Sequence, residues 1–272
     1  MAYNALILRN PARAEETVAE FEKLGITSWC AQLIETIWPE DPHGLEAMVQ
    51  RLVAGEYSWL VLTSVNTVVV LEKLLASYQL PASLRIASVG EKTSDAITAK
   101  LGRSVDFQPE IQSASGMLDK WQLEPGTRIC YPHGDLAKPT LSAGLLNRGM
   151  VVDEVIAYKT VSTPCTGTVV DPVTATKPLN ILQPEAMGAK LEQMDLLVFS
   201  APSVVRRFTQ LIEDGLPATT RTIAIGQPTA KALRAADLPV HAIAAEPTPQ
   251  GLARAAKDLL QLHGSAVVEE TK

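Results

Sequence analysis

Hydroxyl side chains recur where short apolar runs give way to helical patterns. Ser64 follows Leu60–Leu62, Thr93 follows Ile86–Val89, Ser200 follows Leu196–Phe199, and Thr229 follows Ile223–Ile225. Arg9, with Asn10, holds the same place after Ala5–Leu8. In open parallel sheets, ligands bind beyond the carboxyl ends of strands, where loops enter helix N-termini. Such a turn offers free backbone N–H groups and a hydroxyl near a positive helix end, which suits a carboxylate or a phosphate. Ser and Thr are also ordinary helix N-caps, so one such turn says little. Two matched pairs on duplicated domains would line both walls of one cleft. Tyr158, in Val155-Ile156-Ala157-Tyr158-Lys159-Thr160, adds a strand-end phenol that can donate a hydrogen bond without a fixed charge; the plain alternative is a packing aromatic. His133, in Tyr131-Pro132-His133-Gly134, could be a base but reads better as an exposed or loop-satisfying residue.

Other chemistries lack their residues. The three cysteines, Cys30, Cys130 and Cys165, are far apart, with no Cys-x-x-Cys and no Cys/His spacing for a metal, so no metal site is expected. Buried thiols in a reducing cytoplasm are the simple reading. Gly90-Glu91-Lys92-Thr93 lacks the earlier glycine of a phosphate loop, and neither Gly-x-Gly-x-x-Gly nor Gly-x-Ser-x-Gly occurs. The four tryptophans have no basic residues interleaved and read as packing residues. No apolar run approaches the roughly 20 residues of a membrane span, and no export signal opens the chain. With 24 Lys+Arg against 30 Asp+Glu the net charge is −6, which argues against nucleic acid as a partner.

The elements that must position these residues form a repeating pattern. The 272 residues suggest about two domains, each able to bury a core. β-branched runs alternate with 3.6-residue apolar periods, as in Leu45, Met48, Val49, Leu52 and Val53, which implies parallel sheets covered on both faces. Leu60–Ser64 matches Leu196–Ser200, and Ile86–Thr93 matches Ile223–Thr229; Ser64/Ser200, Gly90/Gly226 and Thr93/Thr229 all stand 136 apart. Ser115–Leu118 resembles Pro249–Leu252, shifted by one. A second register, offset by 124, relates Gly149 and Thr160 to Gly25 and Thr36. One domain is therefore expected to be continuous, 39–161, and the other assembled from 1–36 and 167–262, with a mobile tail at 263–272. The two crossings, near Ile34–Pro39 and Lys159–Pro164, would form a double linker and a hinge.

Six segments, taken together, resemble the uroporphyrinogen-III synthase family: Leu-Thr-Ser-Val-Asn (62–66), Ser-Val-Gly-Glu-Lys-Thr (88–93), Val-Ile-Ala-Tyr-Lys-Thr (155–160), Phe-Ser-Ala-Pro-Ser (199–203), Ala-Ile-Gly-Gln-Pro-Thr-Ala-Lys-Ala-Leu (224–233) and Glu-Pro-Thr-Pro-Gln-Gly-Leu (246–252). The resemblance covers almost the whole chain in order. It implies two flavodoxin-like α/β domains on a two-stranded linker, and a cofactor-independent lyase reaction in a cytoplasmic monomer. Linear hydroxymethylbilane would lose water, close with inversion of ring D through a spiro intermediate, and give uroporphyrinogen III. The substrate would come from hydroxymethylbilane synthase. By resemblance, Tyr158 assists departure of the hydroxyl, and Arg9, Ser64, Asn66, Thr93, Ser200 and Thr229 hold the substrate. Leu8 and Pro228 stand where many relatives have Thr. An acidic chain would then bind an octa-acid, with Arg9, Lys92 and Lys138 as candidate cations. A non-catalytic two-lobed binding protein and a nucleotide-using transferase are the alternatives; the missing export signal and phosphate loops weigh against them.

Overall fold

The computed structural model describes residues 3–212 and 215–261. The tail at 263–272 lies outside the described residues. In chain order the strands are β1 (Tyr3–Leu8), β2 (Ile26–Ala31), β3 (Ile34–Ile37), β4 (Trp59–Leu62), β5 (Arg85–Ser88), β6 (Arg128–Gly134), β7 (Val151–Ser162), β8 (Asn180–Ile181), β9 (Leu196–Phe199), β10 (Arg221–Ala224) and β11 (Ala242–Ile243). The helices are α1 (Pro11–Glu22), α2 (His43–Val53), α3 (Val65–Leu74), α4 (Glu91–Leu101), α5 (Ala114–Lys120), α6 (Thr140–Asn147), α7 (Met187–Leu191), α8 (Pro202–Leu211), α9 (Gln227–Ala235) and α10 (Pro249–Leu259).

The chain divides into two compact units. The first takes the segment up to Glu35, Ser162–Cys165 and the chain from Val173 on; the second takes Thr36–Val161 and Thr166–Pro172. Residues 167–172, which the repeat gives to the first domain, belong instead to the second unit. Their backbone pairs with its first residues: Trp38 N–H donates to Thr168 O (2.9 Å) and Val170 N–H to Thr36 O (2.9 Å). The physical reason is apolar burial, since Val170 is 2% exposed within the core around α2 and α3. The chain thus passes between the units four times, where the sequence suggests two.

Each unit holds one sheet. The first has the order β11-β10-β9-β1-β2-β8, with parallel pairs throughout. Leaving aside the edge strand β8, it reads 2-1-3-4-5 in order of appearance, the flavodoxin-like topology. The second has the order β3-β7-β6-β4-β5, and Phe107 bridges in parallel to Ala87 beyond β5. Counted from β6, strands β7, β6, β4 and β5 and the Phe107 bridge again read 2-1-3-4-5. The second sheet is a circular permutation of the first.

Central strands carry unbroken apolar runs because both faces are covered. Along β4, Leu60 and Leu62 enter the core under α2, α3 and α4, while Trp59 and Val61 enter the one under α5 and α6. Along β9, Leu197 and Phe199 meet α8 and α9, while Leu196 and Val198 meet α1 and α10.

Structural equivalence drifts along the repeat. β4 and β9 begin 137 residues apart, β5 and β10 136, and α5 and α10 135. The last pair is the closest in detail. Ser113 and Thr248 cap their helices through the N–H groups of Gly116 (3.0 Å) and Gly251 (3.1 Å). A Cβ on either glycine would lie 2.1 Å from a carbonyl oxygen five residues back, Ile111 O or Glu246 O. Both helices therefore need glycine for the close return of the preceding loop. Gly116→Ala and Gly251→Ala are each expected to cost about 1–3 kcal/mol, read as a lower urea midpoint. Gly188→Ala, whose Cβ would meet nothing nearer than 3.8 Å, should leave the midpoint unchanged or slightly raised.

Candidate functional site

The register of β6 against β7 sets the direction of Tyr158. His133 lies opposite Ile156, and Gly134 opposite Tyr158, so Ala157 is one extra residue in β7. Regular alternation sends Val155 into the core beneath α2 and α3 and leaves Ile156, 44% exposed, on the other face. The bulge then lets Ala157 and Tyr158 both pack on the Val155 side. Without it, Tyr158 would follow Ile156 to the opposite face.

The phenol spans the end of β6. Its oxygen lies 3.0 Å from Ser64 Oγ at the end of β4. Ser64 Oγ also accepts the Asn66 N–H (3.0 Å) and so caps α3. The Asn66 side-chain amide donates to Thr36 Oγ1 (3.3 Å) and favours the ionised form of the nearby phenol. The ring passes over Gly134, where a Cβ would lie 2.5 Å from Cζ and 2.7 Å from the phenol oxygen. Asp135 N–H donates to Tyr158 O (3.1 Å), and Asp135 Oδ1 accepts the Thr160 N–H (2.9 Å), closing the loop after β6 onto β7.

Burial pushes the Tyr158 phenol above its ordinary pKa; the hydrogen bonds from Ser64 and Asn66 oppose this, and the Asp135 charge adds to it. The phenol is therefore neutral at neutral pH and available as a donor. His133 is 14% exposed and tied down, with Nδ1 2.9 Å from Gly134 O and Nε2 3.3 Å from Glu154. That is the loop-satisfying role the sequence suggests. Burial pushes the Cys30 thiol up to about 11, and that of Cys130 up as well, so neither is an activated nucleophile. Among the described residues no group of three or more His, Cys, Asp or Glu could hold a metal ion.

Tyr158, Ser64 and Asn66 are thus brought together in the second unit. Thr93, in the same unit, is 7% exposed in the first turn of α4, and the Gln112 side chain accepts the Glu91 N–H (3.3 Å) at that helix end. Arg9, Ser200 and Thr229 lie in the first unit. Ser200 is not the structural counterpart of Ser64: it precedes the cap residue Ala201 of α8, and its hydroxyl donates to Leu8 O (2.6 Å). That bond ties the end of β9 to the end of β1, beside Arg9. Burial and then the neighbouring Arg13 push the Arg9 guanidinium down from its ordinary pKa, and Glu16 pushes it up. Among the described residues Arg9 makes no ion pair. Thr229 is 2% exposed in the first turn of α9. Sequence reasoning missed two participants, Thr36 and Gly134. Gly134 was legible only as a neighbour of His133.

The fold and this cluster define a class: a duplicated, permuted flavodoxin-like α/β protein whose second unit carries a partly buried, neutral phenol at its strand ends. The uroporphyrinogen-III synthase HemD family model matches residues 15–254, and the chain belongs to that family. The uroporphyrinogen-III synthase of Synechococcus elongatus is 26% identical over 166 residues, covering 60% of this chain and 57% of that protein. A mutant uroporphyrinogen III synthase of the extremely thermophilic bacterium Thermus thermophilus superposes with a TM-score of 0.70 at 19% identity, over 96% of this chain and all of that one. The Helicobacter pylori uroporphyrinogen-III synthetase gives 0.55 at 17% identity, over 95% and 100%.

A raised phenol pKa has a thermodynamic consequence. The native state holds the Tyr158 proton at pH values where the unfolded chain has lost it. The stabilisation is therefore complete below the ordinary value near 10 and is lost as pH rises through the folded one. In Tyr158→Phe, the fall of the melting temperature between about pH 9 and 11 should be shallower than in the parent, by calorimetry at matched ionic strength.

Proposed function

We propose that the chain closes hydroxymethylbilane to uroporphyrinogen III with inversion of ring D and loss of water, as a lyase of haem biosynthesis. The neutral, partly buried Tyr158 phenol at the strand ends carries this reading, in a chain whose family match spans nearly its whole length. The phenol gives its proton to the departing hydroxyl oxygen, the C–O bond breaks, and water leaves an azafulvene cation. The substituted α-carbon of ring D attacks to form a spiro intermediate, which fragments and recloses. The proton lost as ring D regains aromaticity balances the one given to water. The bilane also closes unaided to the uninverted isomer, so the protein contributes orientation and hydrogen bonding to developing charge. No metal, cofactor or strong nucleophile takes part.

Eight carboxylates must be held by a chain of net charge −6, so recognition is local. Arg9, which makes no ion pair among the described residues, meets one of them. The helix-entering turns that carry Ser64, Asn66, Thr93, Ser200 and Thr229 take others through backbone N–H groups and hydroxyls. Thr93 and Thr229 are buried, so their turns contribute through the backbone rather than through those hydroxyls. The protein works as a cytoplasmic monomer on bilane released by hydroxymethylbilane synthase. No described helix is long and apolar enough to cross a membrane.

The test is incubation with freshly made hydroxymethylbilane, oxidation, and chromatographic separation of the I and III isomers. The parent should give the III isomer. Tyr158→Phe should slow its formation at least about tenfold with the fold intact, less than the ~10²–10⁴ of a full general acid because the bilane also reacts unaided. Parental turnover in Tyr158→Phe would remove the phenol from the mechanism.

A further inference from the structure

Three features around Tyr158 go beyond what a packed aromatic needs. The first is room. Gly134 ends β6 directly beneath the ring, and even one methyl there would sit 2.5–2.7 Å from Cζ, Cε2 and the phenol oxygen. The fold itself does not require glycine at this point. Ala5 pairs with Leu196 in the first sheet as Ile129 pairs with Trp59 in the second, so β1 and β6 run in step 124 residues apart, and the position equivalent to Gly134 is Asn10. One copy of the fold carries a side chain where the other carries nothing but space for a phenol.

The second is direction. Ser64 Oγ accepts the Asn66 N–H and keeps its own hydrogen, which can point to the phenol oxygen 3.0 Å away. The Asn66 side-chain amide donates one hydrogen to Thr36 Oγ1 at 3.3 Å and stands beside the phenol, where it favours the ionised form. With the Ser64 hydrogen on the phenol oxygen, the phenol's own hydrogen is directed away from Ser64. The third is the extra residue Ala157, which turns the ring onto this face at all.

We propose that Gly134, Ser64, Asn66 and Thr36 form a socket that aims Tyr158 as a proton donor and takes up the phenolate it leaves, with Gly134 and Thr36 as positioning residues. This rests on the reading of Tyr158 as the acid in loss of the hydroxyl group, and it gives Ser64 and Asn66 a role toward the tyrosine. When the phenol O–H bond breaks and the hydroxyl leaves as water, the negative charge stays on the phenol oxygen. There it faces the Ser64 hydroxyl 3.0 Å away, with the Asn66 amide beside it. Thr36 holds the Asn66 amide in the plane that reaches the oxygen. The proton released by ring D at the end restores the phenol.

The experiment uses the full chain labelled with ¹³C at tyrosine Cζ, the Tyr158 signal being assigned by its loss in Tyr158→Phe. Tyr158 should titrate at higher pH in Ser64→Ala and Asn66→Ala than in the parent, because each removes a donor to the phenolate. Gly134→Ala, which displaces the ring, should lower kcat for the III isomer by up to the roughly tenfold loss of Tyr158→Phe, with KM within about twofold. Thr36→Val should lower kcat in the same direction and Thr36→Ser should restore it, a pattern that serves even where Gly134→Ala does not fold. An unmoved Tyr158 titration in both donor variants would overturn the socket, as would parental kcat in Gly134→Ala or Thr36→Val. Absence of III isomer from the parent would overturn the functional reading, while the titration still decides the socket.

Discussion

The close passage of the Tyr158 ring over Gly134 is the contact on which the described site depends. It requires a strand end with no side chain, a neighbouring strand that delivers an aromatic onto that face, and a hydroxyl within reach on the far side. β6 supplies the first through Gly134, β7 the second through the Ala157 bulge, and β4 the third through Ser64. The order β7-β6-β4 makes this arrangement possible, because it puts the glycine strand between donor and partner. In the flavodoxin-like topology this is the switch point, where the strand order reverses and a crevice opens at the carboxyl ends.

Duplication explains how the two units diverge on one scaffold. Both sheets read 2-1-3-4-5 once the permutation is taken into account, and both repeats keep a capped helix whose glycine admits a returning loop. At the switch points they differ. The second unit has Gly134, Tyr158 and Ser64; the first has Arg9 and a Ser200 turned inward onto Leu8 O. Arg9, half-buried, makes no ion pair among the described residues, while Tyr158 is a partly buried neutral phenol.

Much of the fold was legible in the sequence because its causes are local. Runs such as Trp59–Leu62 and Leu196–Phe199 have the length of buried strands or helix faces, and the helical patterns that follow them mark them as strands of a parallel sheet. The matched segments revealed the duplication because both copies answer to the same backbone constraints. Ser64, Asn66 and Tyr158 were visible as strand-end polar groups next to apolar runs. What misled was the constancy of the 136-residue offset. It equated Ser64 with Ser200, whereas the structural offset there is 137 and only Ser64 caps its helix.

Composition, periodicity and spacing thus determined the class of fold, its duplication and permutation, and the strand ends where polar chemistry gathers. Each of these follows from burial and capping along a stretch of a few residues. Only the tertiary structure decided that residues 166–172 pack with the second unit, that Gly134 lies under the tyrosine, and that Thr36 steadies Asn66. Those contacts join residues 24 to 134 positions apart, and they exist because strands meet side by side in an order the linear pattern does not encode. A single extra residue in β7 chooses the face on which Tyr158 lies. A bulge is a property of two paired strands, so one strand's sequence cannot announce it.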